Sequence, residues 1–171
     1  IEASHFSLRR QPVQFNQVLS DALRVVQPFL RRRHQSLSLD QPFVLPELQA
    51  DATRLGQVLV NLLSNASKYS PMHSPIDVQI EVHENGLYVA VADRGQSIPP
   101  EQRENIFRQF VRLGSDTSSE YSSGLGLAVV KAIIEAHGGQ VGVDTRAGGG
   151  SIFWFTLPFR EGISYESTGC G

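Results

Sequence analysis

Residues 51–70 read DATRLGQVLVNLLSNASKYS, with Pro71 directly after. Leu55, Val58, Leu59, Leu62, Leu63 and Ala66 recur at helical spacing, and Asp51 or Thr53 can cap the start, so the segment predicts a helix running to about Tyr69. Beside that apolar stripe stand Asn61, Asn65 and Lys68, at i, i+4 and i+7. At about 100° per residue these three share one face. Asn is a poor choice for a helix interior because its side chain competes for nearby backbone groups. A ridge of amides ending in an ammonium is therefore either a solvated surface or one wall of a site, and the rest of the chain has to decide.

The chain has 171 residues, 40% of them hydrophobic and 19% charged, which fits one soluble domain with its own core. A net charge of -2 gives no global basic field for nucleic acid or an anionic membrane. A single cysteine, Cys170, excludes an internal disulfide framework and suits a reducing, cytoplasmic setting. No apolar run approaches the ~20 residues needed to cross a bilayer. Ile1 stands where Met would begin a complete chain, so a piece of a longer protein is expected, and a membrane-anchored parent is compatible with it.

Outward from the Asn helix, Phe15, Val18, Leu19, Leu23, Val26 and Leu30 predict an amphipathic helix from Phe15 to Arg32, kinked or shortened by Pro28. SLSLD (36–40) alternates as a short strand. IDVQIEVHENGLYVAVAD predicts two strands around Asn85-Gly86, with Ile76, Val78, Ile80 and Val82 answered by Leu87, Val89 and Val91. PPEQRENIFRQF reads as a short helix opened by proline. VRLGSDTSSEYSS (111–123) is polar and aperiodic, a mobile loop. GLGLAVVKAIIEAHGG predicts a helix starting after Gly124 and Gly126 and ending at Gly138-Gly139. QVGVDT and SIFWFTLP form a last hairpin across a glycine turn. Residues 159–171 have little to pack and read as a tail. The expected architecture is a two-layer α/β sandwich, with a mixed, mostly antiparallel sheet and about three helices on one face.

Three loops carry further chemistry. In DRGQSIP (93–99) an acid follows a strand end, so Asp93 can turn its carboxylate into a pocket while Gly95 lets a flat ligand approach; a plain turn is the alternative. In SSGLGLAVV, Gly124 and Gly126 open a helix whose free amides suit a phosphate. AGGGSIF is most simply a hairpin loop. There is no G-x-x-x-x-G-K-[ST], and GLGLAV lacks the third glycine and the preceding strand of the dinucleotide motif. His5, His34, His73, His83 and His137 are scattered without metal-ligand spacing. His137 is expected to cap its helix end and His83 to be an exposed strand residue.

Taken in order, these segments resemble the catalytic, ATP-binding domain of sensor histidine kinases, in the superfamily shared with gyrase, the heat-shock chaperones and the mismatch-repair ATPases. NLLSNASKYS resembles the N box, DRGQSIP the first glycine box, IFRQFVR the F box, GLGLAVVKAIIEAHGG the second glycine box and GGGSIFWFTLP the last. The resemblance implies a catalytic domain over 12–159, the end of an upstream dimerisation helix or linker in 1–11 and a C-terminal tail in 160–171. It implies that Asn65 coordinates a Mg²⁺ bridging the phosphates of ATP, with Asn61 close by and Lys68 on phosphate. Tyr69 and Ile98 would pack near the nucleotide, Asp93 would accept from the adenine amino group and Gly95 would keep that approach open. Phe107 and Phe110 would anchor a flexible ATP lid formed by 111–123. Gly124, Leu125 and Gly126 would present amides to the phosphates, with Leu127 next in the same wall.

The activity implied is transfer of the γ-phosphoryl group of ATP to a histidine on a separate dimerisation segment, for relay to a response-regulator receiver domain, within a homodimeric parent. No H-E-x-R-x-P-like box occurs, and His5 lacks the following acid, so the phosphorylated histidine is expected upstream. The pattern departs where Ser97 and Ser122 stand in place of glycine and Gln109 in place of arginine, positions that would reshape the base pocket or the lid. Two other readings remain. A gyrase-type ATPase usually carries Glu at the position of Asn61 as the base for water. A degenerate binding module would keep the fold without the chemistry.

Overall fold

The computed structural model describes residues 7–108 and 125–160. Its strands are β1 (Gln11–Val13), β2 (Ser36–Asp40), β3 (Leu48–Ala50), β4 (Pro75–Val82), β5 (Gly86–Ala92), β6 (Val141–Thr145) and β7 (Ser151–Pro158). The helices are α1 (Phe15–Arg32), α2 (Ala52–Tyr69) and α3 (Leu125–Ala136). Residues 111–123, expected from the sequence to form a lid, lie outside the described residues, as do Gln109, Phe110, Gly124, His5 and Cys170.

Five strands form one sheet in the order β2-β4-β5-β7-β6. Only β2 and β4 run parallel, joined through β3 and α2; the other pairs are antiparallel. The register sets Val78 opposite Val91 and Ile80 opposite Val89, and then Val91 opposite Phe153 and Val89 opposite Phe155. Those side chains occupy the same face and are buried. Their alternation with Asp77, Gln79 and Glu81 is what gives the sheet one apolar side. The three helices cover that side, α2 lying between α1 and α3. Each fully buried Leu, Ile or Phe there contributes about 1.5–3 kcal/mol. The expected two-layer sandwich with a mixed sheet is the observed one.

Several local expectations are corrected. Pro28 does not shorten α1, which runs unbroken to Arg32. Pro28 lies on the exposed side, where water can satisfy the carbonyl that loses its donor. The hairpin turn is His83–Gly86, closed by His83 N–H to Gly86 O at 2.9 Å, with Glu84 and Asn85 central and Gly86 already in β5. Val82, at the strand end, is exposed rather than buried. The segment after Pro99 forms two single 3₁₀ turns, Pro100–Gln102 and Asn105–Phe107, instead of one helix. So short a segment does not recover the cost of α-helix nucleation, and Ile106 and Phe107 are buried side by side. Gly126 is the second residue of α3 rather than a residue preceding it. A small second sheet pairs β1 with β3, three residues each, too short for alternation to reveal.

Both ends of the domain are tied down. Arg9 N–H donates to Asp51 Oδ2 at 3.0 Å and the Arg10 guanidinium to Ala136 O at 3.0 Å, so residues 9–11, read in sequence as upstream linker, are joined to the domain. Phe159, read as tail, packs on the core and accepts from Gln49 N–H. Asp51 caps α2 through Arg54 N–H. Its own N–H donates to His137 Nε2 at 3.0 Å, and His137 Nδ1 donates to Ile133 O at 2.8 Å. The buried His137 therefore joins the end of α3 to the start of α2 as well as capping its own helix. Burial holds its pKa below the usual value, and the bonds at Nε2 (accepting) and Nδ1 (donating) correspond to the Nδ1–H tautomer. Gly138 at φ +83° and the bond from Gly139 N–H to Ile134 O close α3 in a Schellman turn.

Candidate functional site

Helix α2 carries the first wall. Asn61, Asn65 and Lys68 are half-buried on the side turned from the buried stripe Leu55, Val58, Leu59, Leu62, Leu63 and Ala66. Asn61 Nδ2 donates to Gly126 O at 3.4 Å, so the first turn of α3 stands against α2. A Cβ on Gly126 would lie 3.7 Å from the Asn61 amide, in ordinary contact, so closeness alone does not require glycine there. Among the described residues the Asn65 amide makes no hydrogen bond. A neutral, hard amide oxygen left in that state on a half-buried face fits a Mg²⁺ ligand. The Lys68 ammonium lies 5.2 Å from the centre of the Tyr69 ring, and Tyr69 is 48% exposed.

The second wall follows β5. Asp93 is 3% exposed, yet it is a carboxylate. Its Oδ1 accepts twice, from Gly95 N–H at 2.9 Å and from Ser151 N–H at 3.2 Å. Its own N–H donates to Ser151 O at 2.9 Å. Among the described residues Oδ2 has no hydrogen-bond partner. Burial raises the Asp93 pKa, against the two backbone donors and the Arg146 charge, which lower it. The group is thus a pre-oriented acceptor with one oxygen committed to the backbone and the other unpaired.

Gly95 sits where the two walls meet. A Cβ there would fall 2.3 Å from the Tyr69 carbonyl oxygen and 3.3 Å from Asp93 Oδ1. The glycine is required by the end of α2, a steric reason that stands beside the open ligand approach expected from the sequence. Ile98, in the same loop, is buried. Phe107 is also buried, edge-on to Phe153 with ring centres 6.3 Å apart, and so belongs to the core. Leu127 is half-buried against the core, and Leu125 opens α3.

Sequence reasoning did not find the residues that hold these walls together. Ser70 Oγ accepts from Arg94 N–H at 3.0 Å, and the Arg94 guanidinium reaches Asp77 at 2.8 Å, which fastens the loop after β5 to the end of α2 and to β4. Ser151 fixes Asp93, and Gly150, at φ +103°, lies so close to the Asp93 carbonyl that a Cβ would stand 2.1 Å from it. The glycine run 148–150 was a signal of this approach, but nothing in it named the partner. The arrangement sets a recessed hydrogen-bond acceptor near the end of α2 and two amides about 6 and 12 Å further back along that helix, a spacing for an elongated polar ligand.

The family model described as Histidine kinase-, DNA gyrase B-, and HSP90-like ATPase matches residues 50–161. The chain is 40% identical over 156 residues to the adaptive-response sensory kinase SasA of Synechococcus elongatus, an alignment covering 89% of this chain and 40% of that protein. Full-length ShkA in complex with AMPPNP has a TM-score of 0.77 at 30% identity, over 90% of this chain and 32% of ShkA. The histidine kinase ThkA in complex with the response regulator TrrA has a TM-score of 0.77 at 25% identity, over 90% of this chain and 42% of ThkA. The chain therefore spans well under half the length of these longer proteins.

Proposed function

Because the chain belongs to the family of histidine kinase-, DNA gyrase B- and HSP90-like ATPases, we propose that it is the ATP-binding catalytic domain of a two-component sensor histidine kinase. Its reaction is transfer of the γ-phosphoryl group of ATP to a histidine on a separate dimerisation segment. Relay from there goes to an aspartate in a response-regulator receiver domain. The likeness to ThkA, a histidine kinase solved with its response regulator, supports that partner. The catalytic unit is 12–159 together with residues 9–11, which are bonded to it, between an upstream linker and a tail from 160, in a homodimeric, cytoplasmic parent that a membrane anchor would also suit.

The observation that carries the reading is Asp93: a buried acid with Oδ1 held by two backbone N–H groups and Oδ2 without a hydrogen-bond partner among the described residues. Such a group accepts one hydrogen bond in a fixed direction, which is what an adenine amino group offers and the 6-oxo group of guanine does not. Tyr69 and Ile98 line the base end, and Phe107 anchors the lid. Lys68 and the backbone amides of Gly124, Leu125 and Gly126, with Leu127 behind them, take the phosphates at the helix end. Asn65, with Asn61 beside it, would hold Mg²⁺, which supplies charge neutralisation across the phosphate chain. The chain's residues thus bind and align the donor, and the nucleophilic imidazole comes from another segment.

Asn61 separates this reading from a self-contained ATPase, because an amide cannot take a proton from water as a carboxylate does. The test is calorimetric titration of this chain with ATP and ADP, with and without Mg²⁺, beside Asp93→Asn. Adenine-nucleotide binding that tightens with Mg²⁺ and weakens in Asp93→Asn is the expected result. A folded chain that binds neither nucleotide would move the assignment to the degenerate module. Rapid hydrolysis of ATP by the chain alone would move it to the gyrase-type ATPase.

A further inference from the structure

Ser97 stands where the resemblance leads one to expect glycine, and its contacts are specific. Its Oγ donates to Gly150 O at 3.1 Å and accepts from Gly150 N–H at 3.3 Å, so one hydroxyl satisfies both polar groups of a single residue 53 positions away. Ser151 Oγ adds a bond to Gln96 O at 3.4 Å. Gly150 is the last of three consecutive glycines, all at positive φ, in the turn before β7. Such a turn is the least constrained kind of backbone. Directly after it comes Ser151, whose N–H holds Asp93 Oδ1.

We propose that Ser97 is a positioning residue for base recognition: its hydroxyl clamps the glycine turn onto the loop after β5, and through Ser151 fixes the direction of Asp93 Oδ2. The serine then sharpens discrimination between nucleobases where glycine would leave the turn free. This rests on the reading of Asp93 as the group that accepts from adenine. Ser97 is exposed and Gly150 O keeps a second donor in Arg146 N–H at 3.0 Å, whereas Gly150 N–H has its acceptor in the Ser97 hydroxyl and loses it with that group.

The readout is the ratio of affinities for ADP and inosine diphosphate, measured by calorimetry on the whole chain. The two ligands share ribose and phosphates and differ at position 6, amino against oxo, and at N1, which carries a proton in inosine. Ser97→Ala is expected to lower this ratio about fivefold, the worth of one hydrogen bond, while inosine diphosphate affinity holds. Ser97→Thr, which keeps the hydroxyl, is expected to retain the ratio, and Asp93→Asn to collapse it. A merely structural role would weaken both ligands alike and leave the ratio unchanged. An unchanged ratio in Ser97→Ala beside a collapsed one in Asp93→Asn overturns the clamp alone. An unchanged ratio in both variants overturns the adenine reading and the clamp with it.

Discussion

Gly95 and Gly56 offer a paired perturbation in which the same added methyl has opposite consequences. At Gly95 the new Cβ would lie 2.3 Å from the Tyr69 carbonyl oxygen and 3.0 Å from its carbon. That is backbone at the last residue of α2, which cannot swing aside like a flexible side chain. The contact is about 1 Å too short, so either the end of α2 or the loop after β5 has to move. Overpacking of this kind costs about 1–3 kcal/mol, which lowers the Tm of a domain this size by about 2–12 °C. The displaced groups include Tyr69 and Asp93, so ADP affinity should fall in the same variant. Gly56 lies inside α2 with nothing within 4 Å of its would-be Cβ. Alanine there gains helix propensity of about 1 kcal/mol and should raise Tm by about 2–4 °C. Thermal unfolding by circular dichroism, with calorimetric titration of ADP, measures both. An unchanged Tm and ADP affinity in Gly95→Ala would show that the walls do not meet as described, and a lower Tm in Gly56→Ala would refute the open space around α2.

The remaining predictions concern single side chains. Burial raises the Asp93 pKa, so the ionised carboxylate costs stability at pH 7. Asp93→Asn should therefore raise Tm at pH 7 while weakening adenine binding, and the gain should shrink as pH falls through the folded pKa towards the ordinary carboxylate range. For His137 the folded pKa is depressed, chiefly by burial, so the stability it contributes is present above about pH 6.5 and is lost as pH falls towards the folded value. His137→Ala should flatten that acid limb and cost about 1–3 kcal/mol by stranding Asp51 N–H, as read by urea unfolding between pH 5 and 8. Asn65→Ala should abolish the Mg²⁺-dependent part of ATP binding and leave Tm in place; persistence of the Mg²⁺ effect would remove Asn65 as the ligand.

What could be read from the chain alone follows physical range. Helix α1 was legible from Phe15 to Arg32 because Phe15, Val18, Leu19 and Val26 carry the period themselves. Asp51 was legible as a cap because its partner, Arg54 N–H, is three residues away. The amide ridge Asn61, Asn65 and Lys68 was visible because one helix sets their spacing. The fate of Pro28 was not, since it depends on which side of α1 meets water. The 3₁₀ turns around Ile106 were not, because burial of two adjacent side chains overrode a helix-like pattern. Ser97 read as a defect in a glycine motif, because its partner Gly150 lies far along the chain and only the sheet brings them together. The same holds for Ser151 and Asp93.

The contact between Asp93 and Ser151 has a topological consequence. These residues are 58 apart in sequence, yet they follow β5 and open β7, two strands zipped along their length. The chain between them leaves the sheet after β5, contributes β6 at the sheet's edge and returns beside β5 as β7. The neck of that excursion is Asp93 itself. Lengthening a closed loop is thermodynamically cheap, about 0.6 kcal/mol for each doubling. Insertions or deletions between the first 3₁₀ turns and α3 therefore leave the neck, and the orientation of its carboxylate, where they are. The length of that connection can change without rebuilding the contacts that orient the Asp93 carboxylate.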